Sequence, residues 1–281
     1  MSETKNWPLA HVHLMKTGGQ TMRAVLRKNF GTGHCDTLLQ ENALPRDWRW
    51  IKTCYSRLKS VSGHCVVPFD ENIEEFFPGT RYFTILRDPV KRSVSHYQFA
   101  ANSGSQLPPF EDWVQKNANY FTRRIAGEVN VDKAIEILEN KIGFTGFVEH
   151  FDESLLMWKR WVGLPDLDVG YRIENKAVSN SLQKEINSKV TFKDLLESCH
   201  TEDRKLFDYA LGTIFERQRD EYGSGLVTDL EEFESRQQEI ATNKNLETTL
   251  SRLKRNCIYR VGVRKVQRNP KVADWNGKKN P

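Results

Sequence analysis

Much of what this sequence lacks narrows what the protein does. No apolar run approaches the roughly eighteen residues of a membrane-crossing helix. The N-terminus has no apolar core of a secretory leader, so the expectation is a cytoplasmic chain that stays where it is made. Cysteine is scarce: Cys35, Cys54, Cys65, Cys199 and Cys257 are irregularly spaced and form no Cys-x-x-Cys pair, which excludes a zinc ribbon and a thioredoxin-like motif and fits reduced thiols. No His-x-x-x-His pair and no aspartate cluster of the magnesium-binding kind occurs, so no metal is expected. The Gly-x-Gly-x-x-Gly fingerprint of dinucleotide sites is missing, as is the Walker pattern with its lysine after the glycines. Internal repeats and low-complexity tracts are also absent.

What remains is a soluble-type composition, 38% hydrophobic and 28% charged, long enough at 281 residues to bury a full core. The net charge of +5 is uneven: from Ser251 onward ten Lys or Arg stand against Asp274. That tail is either a solvated end or a surface for an anionic partner; it has few aromatics and no nucleic-acid motif, so nucleic acid is not expected.

The informative stretch is Leu9 to Met22. Ala10, Val12 and Leu14 alternate as a strand does, Lys16-Thr17-Gly18-Gly19-Gln20-Thr21 follows, and then Met22, Val25 and Leu26 recur at helical spacing. A strand, a glycine turn and a helix N-terminus together suit an anion, because the first helical turn has unpaired N–H groups and glycine lets the backbone approach closely. A plain glycine turn is the competing reading. A second stretch, Arg81 to Tyr97, repeats the arrangement: an apolar strand runs into Arg87-Asp88-Pro89 and a helix, with Asp88 as N-cap and Pro89 at its first position. Arg87 then lies at the C-terminal end of a strand, the edge at which open α/β sheets bind ligands.

Lys-Thr-Gly-Gly-x-Thr followed by Leu-Arg-Asp-Pro-x-x-Arg-x-x-Ser-x-Tyr resembles the sulfotransferases that use 3′-phosphoadenosine 5′-phosphosulfate (PAPS), above all the heparan sulfate 2-O- and 6-O-type branch and its bacterial relatives. The resemblance implies a P-loop-like three-layer α/β/α fold with a central parallel sheet. It implies that Lys16, Thr17, Gly18, Gly19, Gln20 and Thr21 hold the 5′-phosphosulfate and that Arg87 and Ser95 hold the 3′-phosphate. Gln20 departs from the Thr or Ser common in the family, a change that a position donating through its backbone tolerates. His64, in Gly63-His64-Cys65-Val66-Val67-Pro68-Phe69, matches a family segment whose histidine is the catalytic base. By itself a histidine on an apolar strand is more often a satisfied core residue; its place between the two motifs favours the functional reading. Arg123 lies in a short Thr-Arg and Ala-Gly likeness and is either a substrate contact or part of a solvated face.

The expected division is an α/β domain over 1–225 and a helical, basic extension over 226–281, packed on the domain or trailing from it. The expected activity is transfer of a sulfuryl group from PAPS to an acceptor hydroxyl, on a glycan or glycolipid, with His64 and Lys16 catalytic and no metal. An ATP-dependent small-molecule kinase and a non-catalytic binder of anionic glycans are the alternatives. Further expectations are a strand over 61–69, a helical hairpin over 36–59 carrying Trp48 and Trp50, a strand over 142–148, a capped helix from Phe151, a strand beginning near Val169 and a loop at Asn175-Lys176. An amphipathic helix is expected over 229–255.

Overall fold

The computed structural model describes residues 8–37, 45–69, 72–104, 106–171, 186, 188–237 and 246–262. The Asn175-Lys176 loop, the residues before Pro8 and the tail beyond Gly262 lie outside them. Within the described residues the chain is an α/β fold: five parallel strands flanked by helices. The strands are β1 (Leu9–Val12), β2 (His34–Asp36), β3 (Ser60–Gly63), β4 (Arg81–Leu86) and β5 (Ile142–Phe147), in the spatial order β2-β3-β1-β4-β5. Parallel strands covered on both faces carry little alternation, and β1 to β3 are buried along their whole length.

β1 pairs with β3 on one side (Val12↔Gly63) and with β4 on the other (Val12↔Thr84). The order of strands reverses at β1, so the crevice at its C-terminal end is the topological switch point of the sheet. Helix α1 (Gly19–Phe30) leaves β1 through the glycine turn, buries Met22, Val25 and Leu26, and stops at Gly31. Helix α4 (Pro89–Asn102) leaves β4 with Pro89 in its first turn and the Asp88 carboxylate accepting from the Lys91 N–H, as the sequence implies.

Three expectations needed correction. The strand over 61–69 ends at Gly63, where the chain turns and the Val66 N–H bonds the Gly63 carbonyl; β3 has no ladder partner past Gly63, so His64 stands on a turn at the sheet edge. Of the hairpin over 36–59 the described residues show one helix, α2 (Pro45–Cys54), and Asp36 belongs to the edge strand β2. Residues Val169 to Tyr171 carry no strand.

The C-terminal part forms two described helices, Gly225–Gln237 and Leu246–Lys254, the second continuing as a π-helical turn, Arg255–Tyr259. The last of these packs on the domain through polar and aromatic contacts: Lys254 bonds the Thr32 carbonyl at 2.8 Å and lies over the Tyr55 ring, and Tyr259 is fully buried beside Tyr55. Arg255 reaches the buried Asp36 at 3.5 Å, joining Arg23 (2.7 Å), Arg27 and His34 (3.0 Å) around one carboxylate. Burial works against the charge on Asp36, yet His34 above all, through its electrostatic pairing and hydrogen bond, and then Arg23 and Arg27 hold the carboxyl below the ordinary range.

Unusually many imidazoles lie inside. His11 donates or accepts across the ladder with Ser62 at 2.9 Å, and His34 does so with Ser60 at 2.8 Å. Burial pushes His11 down to about 3, His96 to about 4 and His200 to about 3, and it lowers His13 and His34 as well. Above the ordinary value of 6.5 these rings are neutral in the folded and unfolded chain alike. Below it the unfolded chain takes up protons that the folded chain refuses. Stability is therefore full above pH about 6.5 and falls toward pH about 4, by about 1.4 kcal/mol per pH unit for each such ring. Urea midpoints measured across this range should drop steadily on acidification; a flat profile between these pH values would contradict the burial of neutral imidazoles.

Candidate functional site

Three segments converge where the central strands end. The β1–α1 turn carries Lys16 to Gly19, the turn after β3 carries His64, and Arg87 follows β4 directly. The register brings them together: Val12, Gly63 and Thr84 are ladder partners, β1 and β3 end there, and β4 runs two residues further, to Leu86, before Arg87.

The first turn is tightly built. Lys16 takes a left-handed backbone conformation at φ 66°, uncommon for a residue with a side chain, and Gly18 does the same at φ 76° as the N-cap of α1. Thr17 is buried, its hydroxyl donating to the Leu14 carbonyl at 3.0 Å, so it closes the turn from within. Gly19 is required for a different reason. A Cβ placed there would fall 1.8 Å from His13 Nε2, so the imidazole occupies the space that any other residue would need. Thr21 is buried in the first turn of α1, while Gln20 is exposed.

Arg87 joins the two stretches that the sequence singled out. Its Nη1 donates to the Lys16 carbonyl at 3.1 Å, while its Nε is buried without a partner among the described residues. Burial lowers the pKa of the guanidinium, with Glu149 and Asp88 opposing that effect. The Lys16 ammonium lies 4.3 Å from the centre of the Phe99 ring, and burial and the nearby Arg87 lower its pKa. Lys16 and Arg87 are two partly buried cations within electrostatic reach of each other, an arrangement that suits an anion. Arg92, Ser95 and Phe99 recur at helical spacing along one face of α4. Phe99 meets Lys16 and Arg92 is buried, so half-buried Ser95 lies between them.

His64 is half-buried at the mouth of this region. Its Nδ1–H donates to the His13 carbonyl at 2.9 Å, and that bond selects the tautomer whose lone pair is on Nε2. Its ring stacks on His13 with centroids 4.5 Å apart and planes inclined by 22°. Arg124, from helix α6 (Tyr120–Ala126), donates to the His64 carbonyl from the other side. Neighbouring Cys65 is no nucleophile. It is buried, its thiol donates to Thr37 Oγ1 at 3.2 Å, and burial pushes its pKa up to about 12.

The structure thus brings Lys16, the glycine turn, Arg87 and His64 to one edge of the sheet, and Ser95 lies on the helix after Arg87, one turn before the Phe99 that meets Lys16. Arg123 is exposed and donates to the Ala118 carbonyl of its own preceding turn, whereas the adjacent Arg124 faces the site. Sequence reading gave no role to His13, Phe99 or Arg92, and it set Arg124 beside Arg123 without separating the two. His13 and Arg124 touch His64 directly, and Phe99 lies under Lys16. Arg92 is wholly buried over the Tyr120 ring at 4.6 Å with all three guanidinium nitrogens unpartnered among the described residues. A signal for His13 existed, since it stands on the strand that enters the glycine turn; the others are set by helix packing.

No family model matches the chain, and no curated protein sequence does. Among solved structures the chain is similar to a sulfotransferase from Alicyclobacillus acidocaldarius, with 10% identity over 68% of this chain and 94% of that one and a TM-score of 0.37.

Replacing Gly19 by Ala should force the His13 ring off its site. An overpacking cost of about 1–3 kcal/mol is expected, read as a lower urea midpoint. A variant as stable as the parent would show that the imidazole moves aside freely.

Proposed function

We propose that this protein is a sulfotransferase that carries a sulfuryl group from PAPS to an acceptor hydroxyl. The observation that carries the reading is the bond from Arg87 to the Lys16 carbonyl, which ties the glycine turn after β1 and the Arg-Asp-Pro turn after β4 into one cationic cleft beside His64. A nucleotide with phosphates at both ends of its ribose needs two anion-binding turns held at a constant separation. The finer likeness to the heparan sulfate 2-O- and 6-O-type branch rests on the sequence motifs alone.

In this reading the N–H groups of the glycine turn and Lys16 receive the 5′-phosphosulfate, and Arg87 and Ser95 receive the 3′-phosphate. The acceptor hydroxyl lies at His64 Nε2. As its oxygen bonds to sulfur, its proton passes to Nε2, the sulfur–oxygen bond to the phosphate breaks, and the electron pair leaves on the phosphate oxygen as adenosine 3′,5′-bisphosphate. Lys16 and the backbone donors stabilise the charge that develops there. The residues fit such a donor: the Arg87 Nε, buried without a partner among the described residues, and the neighbouring pair of cations both suit an anion. No described group of His, Cys, Asp and Glu is arranged to hold a metal ion.

The acceptor is a carbohydrate hydroxyl, on a glycan or a glycolipid. Phe99, 49% exposed beside Lys16, and Phe69, 43% exposed beyond His64, offer flat apolar faces of the kind that pack against sugar rings. Arg123 is proposed as an outer contact to an acidic acceptor. No described helix is long and apolar enough to cross a membrane. A cytoplasmic location, an α/β domain ending near residue 225 and a basic extension over 226–281 complete the proposal.

His64→Ala should lower transfer by about a hundredfold or more while leaving the binding of adenosine 3′,5′-bisphosphate nearly intact, as expected for loss of a general base. Turnover retained in that variant, in an assay with labelled PAPS and a panel of glycans and glycolipids, would remove His64 from the role. Arg87→Ala should weaken adenosine 3′,5′-bisphosphate by about 10–100-fold, the value of a charged hydrogen bond, and adenosine 5′-phosphate far less. Equal losses by calorimetry would mean that Arg87 does not read the 3′-phosphate. Tighter binding of ATP with magnesium than of the bisphosphate would favour a kinase.

A further inference from the structure

Four rings form a column from the sheet interior to the site. Phe83 stacks on His11 at 4.9 Å, His11 on His13 at 5.3 Å, and His13 on His64 at 4.5 Å. The inner members are buried, and His64 is the half-buried outer end. His13 is fastened at several points: it follows β1, its Nε2 abuts Gly19 where α1 begins, and its ring is sandwiched between two other imidazoles. It meets His64 twice, with its carbonyl on Nδ1–H and its ring face on the imidazole face.

We propose that His13 is a positioning residue for His64, holding the imidazole with its Nε2 lone pair directed to the acceptor and stabilising, through the stacked face, the imidazolium that forms when the proton arrives. This rests on the reading of His64 as the base. The backbone bond alone leaves the ring able to swing about it; the stacked face removes that freedom. A cation over a neutral aromatic face is attracted to it, so His64 gains from protonation while His13 does not compete for the proton. Burial, then His11, His64 and Arg23, keep the His13 pKa well below the ordinary value, with Asp36 opposing them weakly. From the other elements, Arg124 of α6 faces the His64 carbonyl and His96 of α4 lies within electrostatic reach of the ring.

The experiment compares the full-length protein with His13→Phe, which keeps a flat ring, and His13→Leu, which keeps bulk without one. Near-ultraviolet circular dichroism and a melting curve establish that each variant is folded. The first readout is the titration of His64 by NMR with no acceptor present, and the second is the pH dependence of kcat. In His13→Leu the His64 midpoint and the acidic limb of the rate profile should move to lower pH by at least about half a unit, and kcat should fall about tenfold or more with KM little changed. In His13→Phe both should return toward the parent values. An unchanged midpoint in His13→Leu, or equal losses in the two variants, would overturn the proposal. The titration is read without turnover, so a protein that transfers no sulfuryl group would sink the functional reading and still report on the stack.

Discussion

The placement of β1 between β3 and β4 is the constraint on which the cleft depends. Each of these strands delivers one functional group just past its end: the glycine turn with Lys16, His64, and Arg87. Ladder pairing aligns Val12, Gly63 and Thr84, with β4 running two residues further to Leu86, and the Thr84 hydroxyl donates to the Val12 carbonyl at 3.0 Å. Because these strands are buried on both faces, a slip by one residue would exchange every side chain between two differently packed faces, and that holds the spacing of the three groups.

That rigidity is put to an electrostatic use. Lys16 and Arg87 are cations partly removed from water and close to each other, an arrangement that costs free energy until an anion arrives. The left-handed backbone at Lys16 adds to that cost locally. A compact hydrophobic core beneath the turn and the pairing of Asp36 with three arginines nearby offset it. The C-terminal helix enters the same balance through Arg255, which makes it part of the structural support of β2 and α1 rather than a free appendage.

A good share of this was legible beforehand. The two strand–turn–helix units, the N-cap at Asp88, the α/β class and the strand over 142–148, which ends one residue earlier at Phe147, followed from periodicity and from the positions of glycine and proline, all of which act over a few residues. The short edge strand β2 was not. Three residues, two of them polar, give no period, and they are strand because β3 offers them a ladder. The extent of the strand before His64 was misjudged for a related reason: apolar residues from Cys65 to Val67 continue the pattern, but they are buried in a turn. Arg123 and Arg124 are indistinguishable in the sequence; the phase of a short helix decides which one faces His64.

The sequence by itself determined which chemistry is on offer: a lysine before paired glycines, an arginine at a strand end and a histidine between them, because local backbone preferences dictate where strands stop and helices begin. Only the tertiary structure decided that these groups meet, that His64 bonds and stacks on His13, and that Arg92 is buried over an aromatic ring. Those contacts join residues far apart in the chain, and they depend on strand order and helix phase, neither of which any local window of sequence contains.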